Sequence, residues 1–150
     1  MYLERKQDLS IYYWLKDVVF ADAPFITIVD GFPVEGLSVP TVAVEGSDIN
    51  IGPFELGNPH GIKYRIWDID VFGENKSQRD EFAYRILNEV ESKIPVYNYD
   101  KGFPPAVTPT KTGVLIPERI KMEVIRIDPN LVSDMYWRAT VSFVAIYEQT

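Results

Sequence analysis

Hydrophobic and polar positions alternate with period two along several stretches and recur at helical spacing in two others. From Ile62 to Phe72 apolar residues fill most of both alternate sets, which predicts an interior strand covered on both faces. The polar turn from Gly73 to Lys76 follows. Ser77 is then the expected N-cap, with Asp80 three residues on as a capping-box variant. The helix it opens, starting near Gln78, buries Phe82, Ile86, Leu87 and Val90. Its exposed side carries Glu81 with Arg85 and Glu89 with Lys93 at i,i+4, and Pro95 stops it. Near the start of the chain, Leu9, Ile11, Trp14, Leu15, Val18 and Val19 predict a first helix over about residues 9–21 with Asp8 or Ser10 as cap.

Short β-rich runs follow at Phe25–Val29, ended by Asp30-Gly31, and at Val39–Glu45, where Pro40 is confined to the start. Two long runs close the chain, about 118–128 and 135–148, and read as an antiparallel pair. In the second, Met135, Trp137, Ala139, Val141, Phe143, Ala145 and Tyr147 form one face of a half-buried strand. In the first, the shift of apolar positions from Ile120, Met122 and Val124 to Ile125 and Ile127 suggests a bulge or a two-sided strand. Two Gly/Pro-rich stretches, 46–61 and 100–117, read as long loops, the first a plausible mobile hairpin. The order of elements predicts one α+β domain over 1–150. Its sheet is mixed and largely antiparallel, with two main helices on one face and a long C-terminal β-hairpin.

Composition narrows the chemistry. At 150 residues with 46% hydrophobic and 25% charged residues, the chain can bury a core without cross-links, and it has no cysteine for disulfides, thiolate metal sites or nucleophiles. A formal charge of −7 with dispersed Lys and Arg argues against gripping nucleic acid. No signal-peptide pattern or membrane-length apolar run appears, so the expectation is a soluble, intracellular protein.

Candidate chemistry is sparse. His60, the single histidine, sits in the turn Asn58-Pro59-His60-Gly61, with no second imidazole or thiolate to share a metal. There is no Gly-x-Ser-x-Gly elbow and no phosphate-binding Gly-Lys-Ser or Gly-Lys-Thr. Asp68 and Asp70 are two apart on one strand face, with Glu74 near in sequence. They read either as a solvated or interface stripe or as a pair able to hold a hard cation. Aromatic residues make up 13% of the chain. Trp14 is expected in the core, Tyr12 or Tyr13 toward a partner, and Tyr97, Tyr99 and Phe103 either as interface anchors or as a cluster beneath a loop.

Several of these segments occur in a familiar order. An opening helix from Ile11 to Val19 leads to a strand ending in Asp30-Gly31 and a Pro40-led strand from Thr41 to Glu45. Next come Ile69-Asp70-Val71-Phe72, Gln78-Arg79-Asp80-Glu81, Ile86-Leu87-Asn88-Glu89, Ile94-Pro95-Val96 and Trp137 to Phe143. The whole resembles the small tail-terminator or tail-completion (head-tail joining) proteins of tailed bacteriophages. The resemblance implies a virion structural protein, present in the host cytoplasm during assembly. Such a subunit forms a homo-oligomeric ring, commonly a hexamer, that caps the tail tube and meets the head-side connector. It implies no enzyme activity, cofactor or metal, no membrane, and passage of DNA without specific binding.

Under it, the loops 46–61 and 100–117 become contacts, with Tyr12, Tyr13, Phe54, Tyr97, Tyr99 and Phe103 as interface candidates. Asp68, Asp70, Glu74 and Glu148 become candidates for an acidic lumen that repels phosphate. Two alternatives stand beside it: another neck, connector or tail-tube protein, and a small metal-dependent enzyme using Asp68 and Asp70.

Overall fold

A computed structural model describes residues 1–32, 38–51, 63–125 and 136–150. The chain is α+β. Helix α1 (Leu3–Trp14) runs directly into a π-helical turn (Leu15–Val19). Strands β1 (Thr27–Asp30), β2 (Thr41–Ile51) and β3 (Lys63–Gly73) follow, then α2 (Lys76–Val90), β4 (Ile94–Asn98), β5 (Thr110–Ile125) and β6 (Trp137–Gln149). Among the described residues these six strands form one sheet in the order β1-β2-β3-β6-β5-β4, in which β1 and β2 pair in parallel and the other neighbours antiparallel. The C-terminal hairpin β5–β6 is thus present, and β6 is also the central partner of β3.

Both helices lie on one face. Trp67, Ile69 and Val71 of β3, Val42 and Val44 of β2, and Ala139, Val141, Phe143 and Ala145 of β6 bury themselves against Ile11, Trp14, Leu15, Phe82, Ala83, Ile86 and Val90. The period-two pattern is therefore satisfied by one face. Among the described residues the opposite face of β3 has no helix over it: Tyr64, Ile66 and Asp68 are half-buried, and the far end is closed, where Phe32 packs edge-on against Phe72 at 5.9 Å. The expectation that this strand is covered on both faces is corrected accordingly.

The helix starts also differ from the sequence reading. Helix α1 begins at Leu3 because Asp8 and Ser10 serve tertiary bonds instead of a cap. Asp8 accepts from Trp67 Nε1 at 2.8 Å and lies 3.1 Å from Arg65. Ser10 accepts from the Tyr97 amide at 3.0 Å and donates to the Lys6 carbonyl at 2.6 Å. Arg65 Nη1 also donates to the Glu4 carbonyl at 2.9 Å and Gln7 Oε1 at 3.1 Å, so the polar face of α1 is buried with partners.

In α2 the N-cap is Asn75, not Ser77. Asn75 Oδ1 accepts from the Gln78 amide and Gln78 Oε1 accepts from the Glu74 amide, both at 2.8 Å, which satisfies two donors near the helix start. Asp80 instead bonds Arg79 at 2.8 Å. On the exposed side Glu81 meets Arg85 at 3.8 Å. The helix ends at Val90, and Pro95 sits in β4, an edge strand where a missing N–H is tolerated.

The stretch 100–117 is only partly loop, since β5 begins at Thr110, and β2 extends through Glu45 to Ile51. β5 carries a bulge, a register shift between Glu118 and Lys121 with Arg119 at φ 50°, upstream of the change of apolar face; the register is unbroken from Val124 to Ile125, which lie on opposite faces of the strand. Gly113 is fixed by close approach: a Cβ there would come within 2.5 Å of both the Glu148 carbonyl and the Tyr147 ring. Trp137 is half-buried at the start of β6, its ring 4.6 Å from Tyr136 and under Arg79 at 5.6 Å; the fully buried tryptophan is Trp67.

Candidate functional site

The carboxylates Asp68 and Asp70 lie on the uncovered face, each opposite a residue of β6. The register places Asp68 beside Ser142 and Asp70 beside Thr140. Ser142 Oγ donates to Asp68 at 2.6 Å. Asp70, only 5% exposed, accepts from Thr140 Oγ1 at 2.6 Å and from Arg138 Nη2 and Nε at 2.9 and 3.2 Å. The Arg138 guanidinium in turn lies 5.1 Å from the Phe32 ring and 5.5 Å from Phe72. Charge, hydrogen bonds and aromatic faces thus close one end of the sheet as a unit.

This arrangement alters what the two acids can do. A cation at Asp70 would have to displace a guanidinium that already neutralises it and makes two hydrogen bonds. Among the described residues no group of three His, Cys, Asp or Glu is placed to hold a metal. The partners Arg138, Thr140 and Ser142 escaped the sequence reading because they are about 70 residues away along the chain and adjacent only through the β3–β6 ladder.

The other acidic candidates separate. Glu148 is exposed on β6, on the same face as Asp68 and Asp70. Glu74 is in the turn between β3 and α2, its amide held by Gln78, and does not share that face.

The aromatic candidates form an internal stack. Tyr12 and Tyr13 meet edge-on at 5.0 Å, Tyr13 lies 5.5 Å from Tyr99, and Tyr99 stacks on Phe103 at 6.0 Å. Tyr99 is 2% exposed and offers no surface to a partner, and burial pushes its phenol pKa upward. Phe103 is exposed, while Tyr12, Tyr13 and Tyr97 are half-buried. With Trp14, Pro95 and Pro104, Tyr13, Tyr97 and Tyr99 border a shallow apolar cleft of about 230 Å³. Phe54 and His60 lie outside the described residues.

One polar cluster was not singled out from sequence. Arg65, itself buried, lies over the Trp67 ring at 4.5 Å and beside Asp8, and Gly46 of β2 leaves room for it: a Cβ there would approach Arg65 Nη2 to 3.0 Å. Its role is to fasten α1 to the sheet. No helix among the described residues is long and apolar enough to cross a membrane. No protein-family model and no curated protein matches the chain.

Proposed function

We propose that this chain is a tail-terminator-like subunit of a phage virion, which acts by joining copies of itself into a ring between the tail tube and the head-side connector. The observation that carries the reading is the one-sided sheet. Helices cover one face, while the other presents a broad surface whose two central carboxylates are occupied by internal bonds. A surface of this kind is suited to contact or to lining a passage.

Charge supports the second use. On the strands of the uncovered face, Glu45, Asp68, Asp70, Glu118, Glu123 and Glu148 stand against Lys121 and Arg138. An acidic wall repels phosphates over a screening length of about 8 Å, so DNA slides past it without being held. The exposed Phe103 and the half-buried Tyr12, Tyr13 and Tyr97 beside the aromatic cleft are the contacts proposed toward neighbouring proteins.

Electron cryo-microscopy of the particle whose genome encodes the chain tests this. The expected result is a ring of this subunit at the head-proximal end of the tail, with the acidic face toward the bore. Virions that lack the chain, or a ring elsewhere in the tail, would refute it.

A further inference from the structure

The two flanks of the sheet are unevenly covered. β4 pairs with β5 only over Thr110 to Leu115, so among the described residues nothing pairs with the outer edge of β5 from Ile116 to Ile125. On the opposite flank β1 pairs with β2 only from Thr41 to Val44, and the outer edge from Glu45 to Ile51 is likewise unpaired there. Each open edge is a row of backbone donors and acceptors that another strand can complete.

We infer that these two edges are complementary halves of one joint, through which β5 of one copy adds to β2 of the next as an antiparallel strand. The inference rests on the proposed self-assembly and specifies how copies meet.

Strand direction comes first. β2 is antiparallel to β3, β3 to β6 and β6 to β5, so β5 runs opposite to β2. A second copy placed alongside with its helices on the same side therefore presents β2 in the antiparallel sense. Height is also compatible. Glu45 and Lys121 lie in one row across the sheet, through Asp68 and Ser142. A neighbour displaced along the strands by about six residues keeps its β1 clear of Ile125 and sets its Ile49 opposite Val124, and closed arrays of tilted strands require such a stagger.

Side chains agree with the pairing. Ile49 and Val124 are 47% and 42% exposed, and both lie on the helix-bearing side, opposite Arg65 and Ala139 respectively. The joint would bring these two apolar residues together. The β2 edge carries only acids, Glu45 and Asp48, and so repels its own copy, whereas on the β5 edge Arg119 and Lys121 are balanced by Glu118 and Glu123. Because the two edges differ, the contact is heterologous, and repetition closes into a ring when the rotation per copy permits. The bulge beyond Glu118 and the missing N–H of Pro117 confine pairing to the far half of β5, which limits uncontrolled edge growth.

The chain has no cysteine, so single-cysteine variants report the joint directly. Ile49→Cys and Val124→Cys, purified separately and oxidised together, should give a disulfide dimer joining the two variants, in large excess over either variant alone. Ile49→Lys or Val124→Lys should weaken association about tenfold, read by mass photometry, with the unfolding temperature unchanged.

Preferential self-linking of Val124→Cys would mean two-fold β5–β5 pairing and overturn the inference. Rings that form without the mixed disulfide, and that tolerate both lysines, would overturn it and leave ring assembly standing. A chain that stays monomeric at every concentration and gives no disulfide would overturn both.

Discussion

Replacing Asp70 by alanine tests whether this acid is a structural strut or a latent ligand. The substitution removes three hydrogen bonds, one from Thr140 and two from Arg138, from a group that is 5% exposed. Breaking a buried ion pair by deleting one partner costs about 3 to 5 kcal/mol when the survivor stays dry. Arg138 has a side chain 23% exposed and keeps its contacts with Phe32 and Phe72, so it can partly rehydrate. The expected loss is therefore about 2 to 3 kcal/mol. Urea unfolding measures it, and a double-mutant cycle with Arg138→Met should return a coupling of at least about 1 kcal/mol.

Repeating the unfolding with Mg²⁺, Mn²⁺ or Ca²⁺ separates the two roles of the acid. A strut predicts the same stability with and without the ion. A loss below about 0.5 kcal/mol, typical of surface sites, would refute the structural reasoning. Metal-dependent stabilisation abolished by Asp70→Ala would instead favour the metal-enzyme alternative.

Other expectations follow from burial and charge. Trp67→Ala should cost about 3 to 5 kcal/mol, since the ring is fully buried, stacks on Phe143 at 5.7 Å and donates to Asp8. Trp137→Ala should cost clearly less because that ring is half-buried; equal losses in urea unfolding would show that the two rings are not ranked by burial. Glu4 is held below the usual carboxylate range by its own backbone amide at the helix start and by Lys63, and Asp100 by Lys6 and the chain's amino group. Their folded pKa values are depressed, so their contribution is present above the unfolded values and fades as pH falls below about 4. A thermal scan from pH 6 to 2.5 should fall less steeply for Glu4→Gln, and identical slopes would remove Glu4 from the account.

What the sequence by itself determined is whatever a local period can encode. The alternation from Trp137 to Tyr147 and the 3.6-residue spacing of Phe82, Ile86 and Val90 define a strand and a helix; Ala139, Val141, Phe143 and Ala145 of the first and all three of the second reach the core, while Trp137 and Tyr147 at the strand ends stay half-buried. Element order then determined the α+β class, because a sheet with apolar residues on one side must be roofed by the amphipathic helices the same chain supplies.

Tertiary structure alone decided the partners of the polar residues. Asp8 and Ser10 have the chemistry of helix caps, yet β3 and β4 bring Trp67, Arg65 and the Tyr97 amide to them, and a buried donor outranks an exposed helix end that water can serve. Asp68 and Asp70 look like a free acidic pair until the β3–β6 ladder sets Ser142, Thr140 and Arg138 against them. The open edges of β2 and β5 are equally invisible in sequence, since an edge exists only once the lengths and order of neighbouring strands are set. Periodicity assigns a side chain to a face, whereas the identity of what lies opposite depends on contacts far apart in the chain, which only the closed fold specifies.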